Sequence, residues 1–180
     1  MYILFFSLSV LFAWQVESLQ NNFTYFSYTA PYQMLYFIWL NSLGGFVYIH
    51  LYPLAKQVSK KTKWVCHVAM LLFVLGGNIP YQPDTQDIYS TLHVLFSMVS
   101  IILVVWIIYR YMQSILQTNH TLYQKLHSII QIGLLYFIPI CFINGNINII
   151  VELYCLGWIL YLLYIVEKSQ KALPAPESVK

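Results

Sequence analysis

The chain has 180 residues, 59% hydrophobic, 18% aromatic and only 8% charged, with nine Lys+Arg against six Asp+Glu; its mean hydropathy is +0.65. Soluble domains carry about 25% charged and about 45–50% apolar residues, so a solvated globular surface is excluded, and so is disorder, which needs low hydrophobicity. A net charge of +3, scattered along the chain, is too weak for a nucleic-acid partner. The composition predicts an all-α fold, a polytopic membrane bundle of six transmembrane helices.

The apolar opening, about 1–16, is predicted as an uncleaved first span. A cleaved signal is the alternative, but no Lys or Arg precedes the apolar run and only Ala13 is suitably small. Sixteen residues rise about 24 Å, so this span must thin the bilayer or borrow from Glu17–Gln20. A polar and aromatic loop follows, carrying Asn21, Asn22, Thr24, Ser27, Thr29 and Pro31; Asn22-Phe23-Thr24 in it fits a glycosylation sequon. Span two is expected over 33–52, stopped by Pro53, with Asn41 and Ser42 facing protein. Span three is expected over 64–78, ending near Pro80, and span four over 88–111. Span five, over 122–142, carries Pro139, which should kink it. Span six, over 147–166, follows the turn Asn144-Gly145-Asn146. The transmembrane domain thus covers 1–168, and 169–180 forms a tail with an extended Leu173-Pro174-Ala175-Pro176 segment.

Charge placement orients this map. Lys56, Lys60, Lys61 and Lys63 lie between spans two and three, Arg110 and Lys125 flank the connection from four to five, and Lys168, Lys171 and Lys180 follow span six. With six spans all nine fall on one side, and the other side holds Glu17, Asp84 and Asp87, with Glu152 just inside the membrane. Basic residues are retained in the cytoplasm. Both termini are therefore expected there, in a plasma (inner) membrane protein. A five-span chain would move the N-terminus outside. Trp14, Trp64 and Trp106 sit near span ends, where an aromatic belt belongs.

An ionisable group within a span is costly and marks a candidate site. His93 in span four and Glu152 in span six sit at similar depths, about 7–9 Å from the outer side. Ser90, His93, Ser97 and Ser100 recur on one face of span four. With Asn78, Tyr81, Asp84 and Asp87 they outline an outward-facing polar pocket. The competing account is packing, since small and hydroxyl residues join helices in lipid. Candidate catalytic groups are His93, Glu152 and Asp84; candidate binding groups are Tyr81, Asp87, Ser90, Ser97 and Asn78. His50, His67, His120 and His127 cluster at the other side, where interfacial positions explain them better than haem ligation. Cys66, Cys141 and Cys155 read as small apolar residues. No HExxH, CxxC, phosphate loop or GxSxG occurs, so no metal site and no cofactor is expected. Gly44-Gly45 and Gly76-Gly77 permit close helix approach.

Gly77-Asn78-Ile79-Pro80 followed by Thr91-Leu92-His93-Val94-Leu95-Phe96-Ser97 resembles the Gly-x-x-Pro…His-x-x-x-Ala/Ser pattern of six-helix membrane proteins of unknown function, bacterial families loosely similar to the DRAM and Sfk-type proteins. Ser97 stands where alanine is frequent. The resemblance covers under a third of the chain. It implies the same six-helix topology, puts His93 first among residues to test, and implies no particular reaction.

Three functions stay open on the sequence. The first is a non-enzymatic membrane protein whose outer pocket binds a lipid, a small solute or a partner protein. The second is a membrane-embedded hydrolase using His93 with Glu152 or Asp84. The third is a small transporter subunit, for which the halves offer no inverted repeat. The bilayer itself is the one certain partner, and the oligomeric state is not encoded in any recognisable pattern.

Overall fold

The computed structural model describes residues 1–15, 22–27, 32–79, 88–144 and 148–171. Of the features expected from sequence, Glu17, Asn21, Thr29, Pro31, Pro80, Tyr81, Asp84, Asp87, most of the 144–146 turn and residues 172–180 lie outside them. Six α-helices make up nearly all of the described chain: α1 Tyr2–Trp14, α2 Gln33–Val58, α3 Lys60–Asn78, α4 Ile88–Ser114, α5 His120–Asn144 and α6 Ile149–Lys171. A short 3-10 helix, Phe23–Ser27, lies between α1 and α2. Four of the six, α2, α4, α5 and α6, are long and apolar enough to cross a membrane. The chain is therefore a membrane-embedded helical bundle.

Local chemistry sets the helix starts. Ser59 Oγ accepts the Thr62 N–H at 3.1 Å and begins α3 directly after α2. Asn119 Oδ1 accepts Leu122 N–H at 3.0 Å at the start of α5. Asn148 Oδ1 accepts from Ile150 and Val151 at 3.1 and 3.2 Å, which fixes the first turn of α6 and with it Glu152. One boundary differs from the sequence expectation. Pro53 does not stop α2, which continues to Val58. Proline forfeits one backbone bond, but Leu51, Leu54 and Ala55 around it are fully buried, and their packing carries the helix through. α6 likewise runs past the expected end of its span, to Lys171.

Hydrogen bonds place the helix ends. Tyr2 donates to Glu167 Oε2 at 2.7 Å, and His50 Nε2 lies 3.4 Å from the same oxygen. Gln170 donates to the Tyr111 hydroxyl at 3.0 Å. The start of α1 thus meets the C-terminal portions of α2 and α6, and α6 meets α4 at the same end of the bundle. At the other end of α1, Phe12 packs against Phe26 and Trp39, with ring centroids 5.4 Å away in each case. The opposite end therefore gathers the 3-10 helix with the first turns of α2, α4 and α6 and the last turn of α3.

In lipid the hydrophobic effect does not drive helices together; close packing and hydrogen bonds do. The interfaces follow that rule. Ser100 donates to Ala69 O at 3.0 Å, and His93 Nδ1 lies 2.8 Å from Gly76 O. Going back along α4 from Ser100 to His93, the α3 partner moves forward from Ala69 to Gly76, which is antiparallel register. Tyr36 donates to Gly77 O at 2.6 Å, Tyr154 to Gly133 O at 2.8 Å, and Trp158 to Ile129 O at 3.2 Å. Glycine recurs as acceptor because a residue without a side chain lets the neighbour reach its carbonyl. A Cβ on Gly76 would come within 3.0 Å of the Ser97 backbone nitrogen, and one on Gly133 would overlap the Trp158 indole. Gly45 differs: nothing lies within 4 Å of its position. Asn41 and Ser42 also depart from expectation, lying on the exposed face of α2. Asn41 is tolerated there because its Nδ2 donates to Phe37 O at 2.7 Å, one turn back in its own helix.

Candidate functional site

A cavity of about 110 Å³ opens between α2, α3, α4, α6 and the 3-10 helix. Its lining is graded. On α2 it passes from Tyr36 and Trp39 to Leu43 and Val47; on α4, from His93 and Ser97 to Ile101 and Val104; on α6, from Glu152 to Leu156 and Ile159. Thr24 adds a hydroxyl at the polar end, and Met70 and Phe73 of α3 add to the apolar wall. From Tyr36 to Val47 the helix rises about 16 Å. The cavity is therefore slender, polar toward one end of the bundle and aliphatic toward its middle.

Glu152 owes its position to two neighbours. The Asn148 cap starts α6 three residues before it, so its carboxyl lies in the first helical turn, where the helix dipole favours negative charge. The Phe23 N–H then donates to Glu152 Oε2 at 2.6 Å. No partner for Oε1 occurs among the described residues. Phe23 also packs its ring on Trp39, centroids 4.8 Å apart. Trp39 is 6% exposed, and its Nε1 is buried with no acceptor among the described residues.

His93 and Glu152 line the same cavity, but each is engaged separately. His93 is buried against Gly76 O, Glu152 holds Phe23, and no ion pair joins them among the described residues. Ser97 lines the cavity as well. Ser90 is buried outside the lining, and Asn78 donates to Val74 O at 2.6 Å in its own helix. Asp84, Asp87 and Tyr81 lie outside the described residues. The serine stripe turns toward α3, with Ser100 on Ala69 O, so part of the stripe is helix packing.

The sequon at Asn22 is buried in this fold. Asn22 and Thr24 are each 1% exposed, and Thr24 Oγ1 donates to Asn22 Oδ1 at 2.6 Å. Thr24, with Phe23 of the same 3-10 helix, lines the cavity. His67 sits among Tyr48, Tyr52 and Trp64, while His127 stacks on Tyr123 of its own helix at 5.7 Å, so no contact brings these two imidazoles together. Among the described residues no cluster of three His, Cys, Asp or Glu side chains could hold a metal ion.

Sequence reasoning reached His93, Glu152 and Ser97 but passed over Trp39, Tyr36 and Phe23. Trp39 carried a usable signal, since a tryptophan well inside a span brings an N–H that lipid cannot satisfy. Phe23 carried none, because it acts through its backbone. No protein-family model, curated protein or solved structure matches the chain.

Proposed function

We propose that this membrane protein binds an amphipathic small molecule in the graded cavity, polar head toward Glu152 and Trp39 and apolar tail toward Val47 and Val104. The observation that carries the reading is the cavity's polarity gradient, repeated on α2, α4 and α6. Ligand sites are concave and mainly apolar, with a few polar groups that fix orientation. A volume of about 110 Å³ is smaller than a typical drug-sized site, so the cavity takes a small head and the first carbons of one chain, the rest of which would lie outside it. The bilayer supplies both the ligand and the route to it. The basic residues of the α2–α3 turn and the α6 end favour a cytoplasmic position for that end of the bundle, with both termini, and an outer-leaflet position for the cavity.

Thermal unfolding of delipidated protein, before and after resupply of membrane lipid extract, tests the reading. A ligand at a hundredfold excess over its Kd stabilises by about 2.7 kcal/mol. The native chain should gain several degrees in Tm, and Val104→Phe, which fills the apolar part, should gain much less. Equal gains in both would refute occupancy of this cavity.

A further inference from the structure

We infer that the α2–α3 turn and the exposed face of α3 form a binding site for an anionic phospholipid in the leaflet at the basic end of the bundle. The site is separate from the cavity and does not depend on the reading of it. Lys56 ends α2, and Lys60, Lys61 and Lys63 begin α3. Ser59 alone separates the two helices, so the four lysines lie at one level. Ser59 Oγ accepts the Thr62 N–H and lies 2.8 Å from the Thr62 hydroxyl, and Thr62 is buried, so the turn is fixed. None of the four lysine side chains has an ion pair or hydrogen bond among the described residues. Of the described acids, Glu152 holds Phe23 at the opposite end, and Glu167 is taken by Tyr2 and His50. Four like charges so placed repel one another, and the described chain supplies no counter-charge.

The face below the turn indicates where the counter-charge comes from. Thr62, Cys66, Ala69 and Met70 of α3 turn inward and are buried. The opposite face carries Lys60 and Lys61, both exposed, and one turn on Trp64, which is 68% exposed. Trp64 is three residues from Lys61 and four from Lys60, so it neighbours both, with Cβ atoms about 5–6 Å apart. Val68, Leu71 and Leu75 continue the same face and are exposed. From Trp64 to Leu75 the helix rises about 16 Å, close to half of the ~30 Å hydrocarbon core. That order matches one phospholipid in one leaflet: lysines for the phosphate, an aromatic ring for the interface, aliphatic side chains for an acyl chain. A free phosphate would use the lysines alone and nothing below Trp64.

Two photoreactive probes test this, phosphatidylglycerol and phosphatidylcholine, each with a diazirine at the same acyl carbon. Each is added at trace level to phosphatidylcholine nanodiscs holding the full chain, and labelled peptides are located by mass spectrometry. Phosphatidylglycerol should label residues 64–75 about fivefold more than phosphatidylcholine, the preference of about 1 kcal/mol that one basic residue gives near a membrane surface. The exposed α5 residues around Leu135 are the reference, and both probes should label them equally. Lys60→Gln/Lys61→Gln should bring the ratio on α3 close to one, while Lys125→Gln, at an exposed position of α5, should leave it unchanged. Equal labelling of α3 by the two probes overturns the site, and so does an excess that survives Lys60→Gln/Lys61→Gln. An excess that millimolar glycerol 3-phosphate abolishes overturns the lipid assignment in favour of a soluble phosphate. Both substituted lysines are exposed, and unchanged α5 labelling checks that the variant is folded. The comparison of the two probes on the unsubstituted chain decides in any case.

Discussion

The backbone N–H of Phe23 donates to Glu152 Oε2 at 2.6 Å, joining residues 129 positions apart. This bond closes the polar end of the cavity, because it fastens the 3-10 helix to the first turn of α6. It also explains a carboxyl at this depth. The group is held by a backbone donor and a helix N-terminus, and the residue lines the cavity.

Removing that acceptor should open the lid. Glu152→Ala leaves the Phe23 N–H buried without a partner, a loss of about 1–3 kcal/mol. Glu152→Gln keeps an oxygen acceptor and should lose less than half as much. Amide hydrogen exchange at Phe23 reads this directly: exchange should accelerate strongly in the alanine variant and modestly in the glutamine variant. Unchanged protection in Glu152→Ala would contradict the bond.

Glycine positions provide an internal comparison. Gly133→Ala places a methyl group on the Trp158 indole and should destabilise the α5–α6 pairing by about 1–3 kcal/mol. Gly45→Ala meets open space, and by helix propensity it should be neutral or stabilising by up to about 1 kcal/mol. Unfolding in mixed micelles measures both, and the order should not invert.

Interhelical hydrogen bonds should prove modest one at a time. Ser100→Ala deletes the bond to Ala69 O, and such bonds in membranes average about 0.6 kcal/mol with a maximum near 1.7. A larger loss in the same unfolding assay would mean that Ser100 supports more than α3–α4 packing.

The two ends of the bundle can be told apart chemically. Tyr2 and Glu167 are hydrogen-bonded at 2.7 Å through the tips of long side chains, so a Tyr2→Cys/Glu167→Cys pair in a chain lacking Cys66, Cys141 and Cys155 should be joined by a short bifunctional thiol reagent. A Phe12→Cys/Glu167→Cys pair should not, since Phe12 packs at the far end on Phe26. Reporter fusions then assign sides: Gln57 should read cytoplasmic and Gln86 extracytoplasmic, and the reverse would overturn the proposed orientation.

Much of this architecture was legible in the sequence. Charge-free runs marked the helices, because a charge inside lipid is costly enough to leave a visible gap. His93, Glu152 and Ser97 were legible for the same reason, as polar groups where few are tolerated. What escaped was tertiary. Pro53 reads as a stop, yet buried neighbours carry α2 past it. Asn41 reads as protein-facing, yet one bond to its own helix lets it face outward. Asn22-Phe23-Thr24 reads as a modification motif, yet folding buries it as a paired lid. Trp39 reads as one aromatic among many until its N–H is found without an acceptor.

The central claim is that the cavity between Glu152 and Val104 holds a lipid. Native mass spectrometry of the protein released from its own membranes tests this most directly. The account predicts a retained adduct of single-chain lipid mass on the native chain, reduced or absent in Val104→Phe. A native chain without any adduct, or one whose adduct survives Val104→Phe undiminished, would contradict it.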